Sequence, residues 1–120
     1  MLIPLLAAAM VLSKPNTIYL ESGEALVNMC KNVTEAGTKV SVDEIDAGTC
    51  IGFVMGVVDG ATFATHTHPD DFPACIPTAA TRKELVLVVV KYGEDHPEKL
   101  HRAAGFFVLQ ALQSAYPCGQ

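Results

Sequence analysis

Residues 41–63 read SVDEIDAGTCIGFVMGVVDGATF, and how this stretch folds decides the architecture. Ser41 and Glu44 make a capping-box pattern. The serine hydroxyl accepts from a free N–H of the first turn, and the glutamate reaches back to the serine N–H. Behind this start, Gly48, Gly52, Gly56 and Gly60 recur every fourth residue, so on a helix they fall in one nearly straight stripe. Each glycine costs a helix about 1 kcal/mol relative to alanine, so four together require a compensating contact. A smooth stripe lets another backbone come close, as it does in paired membrane helices. The expectation is a packing seam against a second helix, in the same chain or in a dimer mate. A membrane span and a set of glycine-broken strands are the alternatives. Thr49, Cys50 and Asp59 interrupt a stretch barely long enough to span, which favours a buried helix of a soluble protein.

On the N-terminal side, Leu26, Val27 and Cys30 recur at helical spacing behind Ser22-Gly23-Glu24, predicting a helix over residues 22–31. Residues 32–40, rich in Asn, Thr, Gly and Lys, read as a loop. On the C-terminal side, residues 65–78 are polar and proline-rich and read as a surface loop. Thr81 and Glu84 repeat the capping-box pattern and open a third helix through Leu85, Val88, Val89 and Tyr92. Its valine run, residues 86–90, also suits a buried strand, but the cap and the length favour helix. Pro97 is placed for the first turn of a last helix. There Leu100, Ala103, Ala104, Phe107, Val108, Ala111, Leu112 and Ala115 keep an unbroken apolar spacing until Tyr116-Pro117-Cys118 stops it. The fold class is therefore all-α, a small bundle of about four helices.

Cys30, Cys50, Cys75 and Cys118 form no Cys-x-x-Cys pair, which argues against zinc and thioredoxin-like chemistry. An even number of cysteines behind an apolar start reads as a disulfide framework in an exported chain. In an up-down bundle the end of helix one lies beside the start of helix two, bringing Cys30 to Cys50. The start of helix three and the end of helix four share the opposite pole, bringing Cys75 to Cys118. The other pairings would bridge opposite poles, far beyond the roughly 7 Å that a disulfide allows between Cα atoms. Residues 1–13 read as a leader: they carry no basic side chain, but Ala7 and Ala9 give a cleavage-type pattern before Lys14-Pro15. Residues 14–120 then make one domain.

The chain is half hydrophobic and carries a net charge of −5, so it can pack a core and is a poor nucleic-acid ligand. Its acidity suits a basic protein surface better. Within the polar loop, His66, His68, Asp70 and Asp71 are the only cluster of ligand-type side chains. A well-spaced third ligand is missing, so no metal or cofactor is expected there. His96 and His101 read as capping or surface residues. The sequence contains no nucleophile elbow, P-loop or His-Glu-x-x-His motif, and no catalytic constellation emerges. Rather, the loop is a candidate partner-contacting surface: Asp70 and Asp71 can meet a basic rim, with His66 and His68 beside them and Phe72 as an aromatic anchor.

Several blocks together resemble one family. Ser22-Gly-Glu-Ala-Leu-Val-Asn-Met-Cys30, Cys50-Ile-Gly-Phe-Val-Met-Gly-Val-Val-Asp-Gly60, Cys75-Ile-Pro, Lys91-Tyr92, His96-Pro97-Glu98 and Ala115-Tyr-Pro-Cys118 are similar to the periplasmic Tai/Rap immunity proteins of type VI secretion. The resemblance covers about residues 20–118. It implies a non-enzymatic, disulfide-linked, often dimeric helical protein of the periplasm, without stable membrane insertion. Its implied partner is a peptidoglycan amidase effector, which it blocks. A periplasmic stress chaperone and a small-ligand carrier are the alternatives.

Overall fold

The computed structural model describes residues 21–35, 42–71 and 74–119. Four helices follow in chain order: α1, Gly23–Glu35; α2, Val42–Thr67; α3, Arg82–Asp95; and α4, Ala104–Ala115. A single 3-10 turn, Pro97–Lys99, precedes the last. The valine run of α3 is helical, and the strand alternative for it is rejected. The expected leader, the Ser41 cap, most of the loop before it, and Phe72 lie outside the described residues.

Local chemistry sets the helix ends. Ser22 caps α1, its Oγ accepting from the Ala25 N–H at 3.1 Å. The next donors of that turn meet carbonyls from far along the chain: Gly23 N–H donates to Arg102 O at 2.7 Å and Glu24 N–H to Leu100 O at 2.8 Å. In return, Ala104 N–H donates to Glu21 O at 2.7 Å. These three bonds correct the expectation of one continuous helix from Pro97. With the Leu100 and Arg102 carbonyls turned toward α1, residues 100–103 are irregular and α4 begins only at Ala104. Leu100 keeps its place against the core. Two other boundaries also move. Residues 32–35, expected in a loop, extend α1, and α2 runs past Phe63 to Thr67. The capping box of α3 forms as expected, with Glu84 N–H on Thr81 Oγ1 at 3.2 Å and Thr81 N–H on Glu84 Oε2 at 3.0 Å.

The core gathers one face of each helix: Leu26 and Val27 of α1, Val54 and Val58 of α2, Val86 and Val89 of α3, Phe107 and Leu112 of α4. Among the described residues no polar or charged side chain is buried. Both expected disulfides are present, each with Cα atoms 5.1 Å apart. Cys30–Cys50 lies wholly inside the core. Cys75–Cys118 sits nearer the surface, beside an antiparallel bridge between Ala74 and Pro117 and a Cys75 N–H bond to Tyr116 O at 2.8 Å.

Gly93 marks where α1 presses on α3. A Cβ there would lie 3.0 Å from Val27 Cγ2, 3.3 Å from Leu100 Cδ2 and 3.4 Å from Phe107 Cζ. We expect Gly93→Leu to cost about 1–3 kcal/mol through overpacking. Gly93→Ala should come out near neutral, because a helix gain of about 1 kcal/mol offsets the small displacement it forces. Urea unfolding of both variants checks this; equal losses would show that side-chain size at the crossing is not what matters.

At the corner after α3, His96 Nδ1 stands 3.1 Å from Glu98 Oε1. A hydrogen bond from its own backbone N–H, and then the His96 side chain, hold the Glu98 carboxyl below its ordinary 4.5. A carboxyl whose pKa is lowered by folding stabilises the native state above the unfolded value and loses that effect as pH falls through the lowered one. Glu98→Gln should therefore remove a small stability increment that the wild type keeps above about pH 4.5 and loses below it. Melting temperatures should differ at neutral pH and converge in acid. A constant gap between the two proteins would discount the contact.

Candidate functional site

The outer face of α2 departs from expectation. A Cβ at Gly48, Gly52, Gly56 or Gly60 would meet nothing within 4 Å. Among the described residues no helix of the same chain fills the expected seam, and the stripe is exposed. Ala47, Cys50, Val54, Val58 and Ala61 turn inward, while Ile45 and Phe63 stand 69% and 71% exposed. The helix is thus buried along one face only. Its segment Glu44–Thr67 is long and apolar enough to cross a membrane, and its inward face packs in the shared core.

The loop expected to meet a partner begins while still on α2. His66 lies in the last helical turn, and His68 N–H donates to Ala64 O at 2.7 Å as the helix closes. Asp71 N–H then donates to His68 O at 3.0 Å, forming a tight turn that holds Asp70 and Asp71 at the surface. His66, His68, Asp70 and Asp71 are all exposed. The structure brings them to one end of the bundle without converging them: among the described residues no three His, Cys, Asp or Glu side chains are placed to hold a metal ion. His66 borders a shallow hollow of about 240 Å³ with Thr62, Thr65, Ala74 and Ile76. The nearby Cys75–Cys118 bridge fixes the far side of that hollow.

Sequence reasoning missed a second surface. Between α2 and the start of α4 runs an open apolar groove of about 330 Å³, walled by Val57, Gly60, Ala64, Gly105, Phe106 and Leu109. Phe106 forms its rim and is 69% exposed. Two signals in the sequence point to it. Apolar residues run almost all round α2, more than one core can cover. In α4, Phe106 stands beside Phe107, and adjacent helical residues cannot both face the core. The α2 side comes from an acidic stretch: residues 40–81 contain Asp43, Glu44, Asp46, Asp59, Asp70 and Asp71 but no Lys or Arg.

The model of one family, the Rap1a immunity proteins, matches residues 22–118. The chain belongs to the Rap1a immunity protein family. The match takes in all four helices and all four cysteines. No curated protein and no solved structure matches the chain. Rap1a proteins confer immunity against secreted effectors by binding a cognate effector, a role that is generally non-enzymatic. Exposed, rigidly mounted side chains suit that role, because a preformed surface loses little entropy on binding.

Proposed function

We propose that the chain is a periplasmic immunity protein that binds and blocks a peptidoglycan amidase effector of type VI secretion. The observation that carries this reading is the family match over residues 22–118. Two disulfides support an oxidising compartment, because such bridges persist outside the reducing cytosol. The apolar start of the chain supports export. Co-expression tests the proposal. Cells in which an amidase encoded beside this chain is directed to the periplasm should lyse, and co-production of the exported chain should rescue them. A stable complex of the two purified proteins should accompany rescue. Continued lysis, with no complex formed, overturns it.

Within that reading, His66, His68, Asp70, Asp71 and Phe72 belong to the effector-contacting surface. The support is the exposure of His66, His68, Asp70 and Asp71 at one pole and the acidic character of the region. Replacing Asp70, Asp71 and Phe72 together by alanine is expected to weaken effector binding at least about tenfold, the scale of one lost anchor residue. Thermal stability should hardly change, since Asp70 and Asp71 touch no core. Unchanged affinity by calorimetry would remove this loop from the interface.

A further inference from the structure

The apolar groove between α2 and α4 begins where the described chain begins. Glu21 O accepts from Ala104 N–H at 2.7 Å, and Ser22 pairs with Ala103 in an antiparallel bridge. Ala103 is itself a wall of the groove, with Gly105 and Phe106 next along. Antiparallel partners run in opposite senses, so the chain traced backwards from Ser22 heads toward Gly105 and Phe106. The residues that come next in that direction are Leu20, Tyr19 and Ile18, three bulky apolar side chains in a row.

We propose that Ile18 and Leu20 of the same chain occupy this groove, so that the segment before α1 straps α2 to α4. Reach and parity agree. From Ala103 to Leu109 the α4 wall is about 9 Å long, at 1.5 Å per residue. Back from Glu21 to Ile18, an extended chain covers about 10 Å at 3.3 Å per residue. Side chains alternate along an extended segment, so Ile18 and Leu20 enter together while Tyr19 stays outside. The floor of Gly60, Ala64 and Gly105 leaves about 330 Å³ for them, and Phe106, 69% exposed, closes over the open side.

Backbone and charge point to the same occupant. The first N–H groups of a helix have no partner within it. That of Ala104 goes to Glu21 O, while the Ala103 cap offers no side-chain acceptor to those behind it. Carbonyls of the strap continue the Glu21 bond toward Gly105 and Phe106. Lys14, the only charged residue before Glu21, brings a cation toward an α2 wall drawn from the acidic stretch. Because the segment is tethered at the mouth of the groove, it competes there at an effective concentration on the order of millimolar. The strap concerns what covers the groove within one chain, so it goes beyond the proposed function and needs no effector for its test.

Solution NMR of the exported, oxidised chain is that test. Methyl groups of Ile18 or Leu20 should show Overhauser contacts to the Phe106 ring, unchanged on dilution. Replacing Ile18 and Leu20 together by serine should lower the folding equilibrium constant at least about thirtyfold, the scale of exposing two aliphatic side chains. Phe106→Ser should cost about tenfold in the wild type but under about threefold in that double variant, where its cover has gone. Phe106 is no part of the buried core, so its variant should keep the native helical spectrum. Absence of the Ile18 and Leu20 contacts, contacts that isotope-mixed samples assign to a second chain, a double variant as stable as wild type, or strictly additive losses would each overturn the strap. So would an exported chain whose mass shows that it begins after Leu20.

Discussion

Replacing Cys30 and Cys50 together by alanine is expected to lower stability by about 4–6 kcal/mol, a large part of the whole for a domain of this size. Two terms contribute. Loss of the cross-link frees the unfolded chain: for the sequence separation of 20 the loop term is about 3 kcal/mol. Both cysteines are fully buried, so their sulfurs leave a void that costs roughly 1–3 kcal/mol more. The Cys75–Cys118 pair spans 43 residues, which raises its loop term by about 0.7 kcal/mol. Its cysteines are at least partly exposed, so little packing goes with them. Burial should therefore outweigh loop length, making the inner bridge the costlier loss. Urea unfolding of the two double variants decides between the terms. A larger loss from the Cys75/Cys118 variant would mean that chain entropy alone governs.

Phe107→Ala is expected to cost about 3–5 kcal/mol. The ring is fully buried, and α1 and α3 close on it. Gly23 exposes its backbone to the ring: a Cβ there would come within 2.8 Å of Phe107 Cγ. Gly93 does the same from α3, and Tyr92 meets the ring edge-on with centroids 5.3 Å apart. Truncation therefore opens a cavity where α1, α3 and α4 meet, and glycine neighbours have no side chain to fill it. Melting should fall by at least about 12 °C. Phe107→Leu should lose far less, because it restores most of the volume. If alanine costs no more than leucine, the site collapses around the smaller residue and the close approach of the two glycines is not structural.

Much of the fold was legible because local signals agreed with the global one. The Thr81 and Glu84 box placed the start of α3, and the two disulfides followed from which helix ends share a pole. The errors have a common physical origin: contacts between segments distant in the chain. Residues 97–115 keep helical spacing throughout, yet α1's first N–H groups claim the carbonyls of Leu100 and Arg102 and split the segment. Gly93 interrupts an otherwise apolar face, and the approach of Val27, Leu100 and Phe107 explains it. The glycine stripe is plain in the sequence, but spacing alone does not say which face of a helix is covered, and the described structure leaves this one exposed. At the candidate site, the exposure of His66, Asp70 and Asp71 follows from their polarity. The groove beside Phe106 depends on how α4 meets α2, which no local pattern encodes.

The interior holds no polar or charged side chain among the described residues, and Glu98, whose carboxyl is held below its ordinary range, sits on the outside. Burying an ionisable group without a partner makes folding depend on its protonation, and the described core contains no such group. A protein that opened on acidification to shelter other chains would need a hidden ionisable trigger. None lies in the described core of this chain, where apolar side chains and a buried disulfide hold the helices together.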